Sequence, residues 1–157
     1  MVEGRIAESR RLYDEATEIV GNAPDVTDAR IWFISNHAVL ALAEGDRTGA
    51  VGSCRRVLEA FAEQPHRPSE VLATVLDVLA VLAVEDGDLE RAARLVGAAH
   101  TSRAAPKFAP FRSRPEFQRA LTVTRAGLDD AAFERTQAVG AALDIDEVVA
   151  LAEASLR

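Results

Sequence analysis

The chain contains the same helical pattern twice, at a distance of 42 residues. Residues 38–41 and residues 80–83 are both Ala-Val-Leu-Ala, and they are followed by Gly45-Asp46 and Gly87-Asp88. In each copy a long apolar helix would end at the glycine, which adopts positive φ without steric cost, and the aspartate would cap a second, amphipathic helix. A single pair of this kind cannot bury both of its faces, so the pattern predicts that the pairs stack.

Apolar residues spaced three and four apart, with turn residues between the segments, predict an all-α fold of about eight helices. The expected helices are residues 5–20, 27–44, 47–64, 69–86, 89–104, 115–127, 129–142 and 145–156. We expect one domain over residues 1–157. It would comprise repeat helices in residues 1–104, a loop in residues 105–114 and a three-helix tail in residues 115–157.

The net charge, the cysteine content and the lengths of the apolar stretches indicate where the protein resides and which partners are excluded. The net charge of −7 argues against direct DNA binding and against anionic membranes. The single cysteine, Cys54, excludes an internal disulfide and favours a reducing cytoplasm. The first eleven residues lack the apolar core of a signal peptide, and the apolar stretch 71–84, interrupted by Thr74 and Asp77, is too short to span a membrane. We therefore expect a cytoplasmic protein with no membrane contact.

Two sets of residues resemble known helical repeats. Small residues stand where tetratricopeptide repeats pack their two helices together: Ala38, Ala50, Ala80, Ala92 and Ala99. Residues 87–99 and 140–152 resemble the end of the helical repeat region of bacterial LuxR- and AfsR/SARP-type transcriptional regulators with a central ATPase. The resemblance covers residues 27–157 and implies a tetratricopeptide-like superhelix that senses a signal or binds a protein. The first predicted helix resembles the second helix of a repeat, so we expect the chain to come from a longer array.

The concave face is the usual ligand surface of stacked repeats, and the first helix of each pair lines it. Four residues are expected to point there: Trp32, Ser35, Thr74 and Asp77. Asp77 is the charge within the most apolar stretch, and burying a carboxylate is costly unless it is paired. Either Asp77 contacts a peptide or small effector in a groove, or it pairs with an arginine, and the pairing is the simpler explanation.

A basic segment separates the repeat helices from the tail. Its cationic residues are Arg103, Lys107, Arg112 and Arg114, and three phenylalanines lie among them: Phe108, Phe111 and Phe117. Basic and aromatic residues together can bind single-stranded nucleic acid or an anion. The alternative is an ordinary loop whose phenylalanines fill the core, which the acidic remainder of the chain favours.

No residue pattern indicates catalysis, a cofactor or a metal. The three histidines lack metal-ligand spacing: His37, His66 and His100. His37 is expected to be a hydrogen-bonded core histidine, Cys54 a small core residue, and Gly49 and Gly52 sites of close helix packing. We therefore expect a non-catalytic regulatory module that binds a protein, a peptide, a second copy of itself or a small effector. A stand-alone peptide-binding scaffold and a small-molecule sensor are the alternatives.

Overall fold

The structure is a computed structural model, and it describes residues 2–21, 27–62, 69–103 and 110–157. The described residues form eight α-helices and one short 3₁₀ turn, with no strand. The helices are α1 (Val2–Gly21), α2 (Thr27–Ala43), α3 (Arg47–Ala62), α4 (Ser69–Glu85), α5 (Leu89–Thr101), α6 (Pro115–Leu128), α7 (Asp130–Ala141) and α8 (Ile145–Ala154). The all-α prediction is confirmed, and residues 110–113 of the predicted loop form the 3₁₀ turn.

Both Gly-Asp turns have the geometry that the sequence predicts. Gly45 and Gly87 have φ of 75° and 78°. The carboxylates of Asp46 and Asp88 accept hydrogen bonds from the backbone N–H three residues later, at 2.8 and 3.0 Å. Each turn therefore ends one helix and caps the next, which joins α2 to α3 and α4 to α5 as close pairs.

Helix α4 forms the centre of the core. All of its residues from Val71 to Ala83 except Thr74 are buried. It packs against α2, α3, α5, α6 and α8, so apolar side chains are needed on every face of the helix. Among the described residues, no helix is both long and apolar enough to cross a membrane.

The tail docks through an unusually close approach of α5 and α7. A Cβ atom added to Gly97 would lie 2.0 Å from the carbonyl oxygen of Gln137, and one added to Gly140 would lie 1.9 Å from that of Arg94. Such separations are far below van der Waals contact, so each helix needs glycine where the other backbone crosses it. These two glycines set the position of α7 against α5.

Of the two glycines in α3 that were predicted to allow close helix packing, only Gly49 does so. A Cβ atom on Gly49 would lie 2.2 Å from Oδ2 of Asp46 and 3.3 Å from Cβ of Ala41 in α2, so this glycine leaves room first for the capping carboxylate and then for the neighbouring helix. Gly52 has nothing within 4 Å, and the expectation of close packing there was wrong because that part of the helix is open. Cys54 is fully buried, as expected, and burial raises the pKa of its thiol to about 12. A thiol in this state is a poor nucleophile.

Candidate functional site

Asp77 lies at the centre of a buried ion cluster. Its side chain is 0% exposed and accepts hydrogen bonds from Arg103 and Arg112. Arg112 binds in bidentate fashion, with Nη2 3.0 Å from Oδ1 and Nε 3.2 Å from Oδ2. Arg103 also donates from Nη1 to the carbonyl oxygen of Ala99 at 3.0 Å, and Arg112 donates from Nη2 to that of Val96 at 3.2 Å. The cluster therefore joins α4, the end of α5 and the 3₁₀ turn.

Two of the predicted groove residues do not face a groove. Asp77 is buried because two arginines bind it, which is the alternative explanation given by the sequence. Ser35 is also buried, and its hydroxyl donates to the carbonyl oxygen of Trp32 at 2.7 Å within the same helix. The expectation that these two side chains line an exposed ligand surface is corrected accordingly.

Most of the described basic segment faces the core. Phe111 and Phe117 are buried with ring centroids 5.8 Å apart, and the Arg112 guanidinium lies 5.3 Å from the Phe117 centroid. Arg103 is almost completely buried. These positions correct the interpretation of Arg103 and Arg112 as a nucleic-acid surface, because both guanidinium groups bind Asp77 and backbone carbonyl oxygens within the fold. Lys107 and Phe108 lie outside the described residues.

A cavity of about 430 Å³ lies between α1, α2, α4 and the residues that flank the 3₁₀ turn. Four of the residues singled out by sequence line it, and they come from both predicted sites: Trp32, Thr74, Arg103 and Arg114. The other lining residues are Ser9, Tyr13, Asn36, Val39, Leu40, Glu70 and Phe111. The fold thus brings one half of the predicted groove and one half of the predicted basic segment to a single concave site, which we call the Trp32 cavity.

An aromatic group forms one wall of the Trp32 cavity. Trp32 is 41% exposed, and its ring lies 6.0 Å from Tyr13 and 5.3 Å from Phe33. Burial raises the pKa of the Tyr13 phenol, so this side chain stays neutral at physiological pH. The sequence analysis did not identify Tyr13 as a site residue. Its aromatic character was the signal available in the sequence, whereas its packing on Trp32 follows only from the fold.

Arg114 forms the polar side of the same cavity. Its Nε lies 3.5 Å from Oε2 of Glu116, and neither of these two buried atoms forms a hydrogen bond with a described residue. The Thr74 hydroxyl donates a hydrogen bond to the carbonyl oxygen of Glu70 at 3.0 Å. This bond does not use the methyl group of Thr74 or the lone pairs of its oxygen. The site therefore combines flat apolar surface with a guanidinium group whose hydrogen-bonding capacity is incompletely used.

His37 lies beside a second cavity of about 430 Å³, between α1, α2 and α3. Its Nε2 is 3.2 Å from Oγ1 of Thr17 and 3.6 Å from Oδ1 of Asp14. Both groups approach the same nitrogen, so they cannot act as the nucleophile and orienting acid on opposite sides of a catalytic histidine. Burial lowers the pKa of His37, and Asp14 partly offsets this effect. Within the described residues, no group of three or more His, Cys, Asp or Glu side chains could hold a metal ion.

No protein-family model, curated protein or solved structure matches this chain. The likeness to regulators with helical repeats stays a prediction from the residues themselves. The function must therefore be inferred from the geometry of the Trp32 cavity.

Proposed function

We propose that the chain is a non-catalytic interaction module of the tetratricopeptide type that binds an effector or partner in the Trp32 cavity. The observation that carries this proposal is the convergence of Trp32, Thr74, Arg103 and Arg114, from distant parts of the sequence, on one concave site. Its volume of about 430 Å³ lies within the range of about 300–1,000 Å³ that is typical of ligand sites, and apolar walls with a few polar groups are typical of them too.

The array-like character is supported by the two helix pairs. The pairs α2/α3 and α4/α5 have matching Gly-Asp turns, and α2 also packs on α4. This is the contact expected if the first helices of successive repeats lie side by side along a binding face. In the proposed array, α1 occupies the place of the second helix of a preceding repeat.

We place this module in the sensor or protein-binding part of a bacterial transcriptional regulator. The two segments that resemble such regulators, residues 87–99 and 140–152, supply Gly97 and Gly140, which meet at the close contact of α5 and α7. The resemblance therefore includes the residues that dock the tail. Sequencing the DNA upstream of the codon for Met1 tests this assignment. An open frame that continues into nucleotide-binding and DNA-binding motifs is expected, and an in-frame stop with a ribosome-binding site just before Met1 would contradict it.

Ligand binding is tested by a thermal-shift screen of metabolites and short peptides, because a ligand that binds the folded state raises the unfolding temperature. The screen compares the natural chain with Thr74→Phe, which places a bulky ring in the Trp32 cavity. Thr122→Phe is the matched control. Like Thr74, Thr122 donates its hydroxyl to the carbonyl oxygen four residues earlier, but it is exposed on α6.

We expect at least one compound to stabilise the natural chain and Thr122→Phe but not Thr74→Phe. A ligand that stabilises all three proteins equally would place binding elsewhere on the molecule. Conversion of a bound compound into a product, abolished by Thr74→Phe, would contradict the non-catalytic assignment. Absence of any stabilising compound among both metabolites and peptides would contradict the proposed binding function.

A further inference from the structure

We propose that the Trp32 cavity takes a small aromatic carboxylic acid, with its ring against Trp32 and its carboxylate at Arg114. This inference rests on the proposed binding function and names the chemical class of the ligand. Three features of the cavity carry it: the charge behind its wall, the state of Arg114, and the shape of its apolar surface.

The charge behind the cavity wall favours an anion. Arg103 and Arg112 both pair with Asp77, so this cluster holds two guanidinium groups against one carboxylate. Arg103 lines the cavity while it is almost entirely removed from water. A buried positive charge that is only partly compensated is unfavourable, and a ligand carboxylate nearby would lower its free energy.

Arg114 supplies the direct contact for the carboxylate. At 3.5 Å its Nε is close enough to Glu116 for electrostatic attraction, but the pair forms no hydrogen bond. A guanidinium group presents its donors in a planar fork that matches the two oxygens of a carboxylate. The Nε atom is buried, but the side chain as a whole is 31% exposed and lines the cavity, so a ligand there can reach the exposed part of Arg114.

The apolar surface selects a flat ring rather than an extended chain. Trp32 and Tyr13 lie next to each other, and Val39, Leu40 and Phe111 supply the rest of the apolar lining. Aromatic rings stack in offset or edge-on arrangements against such surfaces. The limited volume of about 430 Å³ suits a compound with one or two rings better than a folded peptide segment.

Glu70 also lines the cavity and carries a charge of the same sign as the proposed ligand. Replacing Glu70 should therefore change the affinity for an aromatic acid in a known direction. Glu70→Gln removes the repulsion between two carboxylates and should therefore tighten the binding of an aromatic acid. A cationic ligand would instead bind more weakly to this variant.

Isothermal titration calorimetry with matched acids and amides tests the inference. The probes are 2-naphthoate and 3-phenylpropanoate, each compared with its primary amide. Acetyl-Ala-Phe, as the free acid and as the amide, represents a peptide C-terminus. We expect the small acids to bind at least about tenfold more tightly than their amides, because only the acids form charge-assisted hydrogen bonds.

Two arginine variants identify the contact. Arg114→Gln should weaken binding of the acids about tenfold and leave binding of the amides unchanged. Arg119→Gln is the matched control, because Arg119 is an exposed arginine on α6, the helix whose N-cap residue is Arg114. It should leave both affinities unchanged. Trp32 is the only tryptophan of the chain, so a change in its fluorescence on addition of 3-phenylpropanoate would place the ligand at the aromatic wall.

The outcomes separate this inference from the proposed function. Equal binding of acids and amides, or equal weakening by both arginine substitutions, would overturn the carboxylate assignment while binding in the cavity stands. Binding of acetyl-Ala-Phe without binding of the small acids would overturn the small-ligand assignment. Failure of all these probes would overturn the inference, whereas the proposed function fails only if the wider thermal-shift screen also finds no ligand that Thr74→Phe excludes.

Discussion

Removing the carboxylate of Asp77 should cost a large part of the stability of the protein. Asp77→Ala leaves Arg103, with a side chain 4% exposed, and Arg112, with a side chain 23% exposed, without their anionic partner. Breaking a buried ion pair from one side typically costs about 3–5 kcal/mol. Because domains have a total stability of about 5–15 kcal/mol, a loss of about 3 kcal/mol would remove between about a fifth and three-fifths of it. Partial exposure of Arg112 places the expected cost near the lower limit, at about 3 kcal/mol.

Urea denaturation followed by circular dichroism at 222 nm measures this cost. With a denaturant slope of about 2 kcal/mol per molar, a loss of about 3 kcal/mol lowers the unfolding midpoint by about 1.5 M. Asp86 provides a matched control, because it also holds two arginines, Arg47 at 2.7 Å and Arg91 at 3.0 Å. The Asp86 side chain is 41% exposed, so Asp86→Ala should cost less than about 1 kcal/mol. Equal shifts for the two variants would refute the claim that burial sets the cost.

A combined replacement distinguishes two causes of the lost stability: buried arginines left without their carboxylate, and the loss of the attraction within the ion pairs. Asp77→Leu with Arg103→Met and Arg112→Leu removes all three charges and keeps apolar volume in their place. We expect the triple variant to recover most of the stability that Asp77→Ala loses, because the main cost in the single variant is an uncompensated buried charge. A triple variant as unstable as Asp77→Ala would show that the ion pairs themselves supply the stability. It would then contradict our account of the single substitution.

Two further predictions concern the helix crossing and the pH dependence. Gly97→Ala and Gly140→Ala should each lower the free energy of unfolding by about 1–3 kcal/mol because the added methyl groups meet backbone. Gly52→Ala adds its methyl group in open space and should raise the free energy of unfolding by about 0.5–1 kcal/mol. Destabilisation by all three alanine substitutions would refute the reasoning. Burial lowers the pKa of folded His37 below its ordinary value of 6.5, so the unfolded chain binds the proton first and stability should fall as pH drops below 6.5. In His37→Gln the decline in unfolding temperature from pH 7.5 to 5.5 should be smaller, and an unchanged decline would refute this assignment.

Local chemistry accounts for the parts of the fold that the sequence predicted well. The Gly-Asp turns follow from the positive φ of glycine and the capping oxygen of aspartate, both of which act within a few residues. The same is true of Asp144 and Glu147, whose side chains form a capping box at the start of α8. Such interactions hardly depend on the rest of the chain, so they can be recognised from neighbouring residues in the sequence.

Contacts between distant segments could not be predicted in the same way. The repeat phase indicated that Asp77 belonged to a helix that lines a groove, but it could not show which face would meet the arginines that follow α5. The crossing of Gly97 and Gly140 was missed for a related reason, because a glycine within a helix is equally compatible with open space, as at Gly52. In both cases the deciding quantity is the position of a helix that lies far away in sequence.

Arg103 links the stability of the fold to the proposed binding site, and this affects which variants can test function. It bonds Asp77 and the carbonyl oxygen of Ala99 while also lining the Trp32 cavity. These bonds fix the guanidinium group before any ligand arrives, so little conformational entropy is lost on binding. Substitution of Arg103 or Asp77 would disturb core and cavity together, and a loss of binding could then reflect unfolding alone. Arg114 contacts the cavity outside the Asp77 cluster, so its substitution can change ligand affinity while the buried ion pairs remain intact.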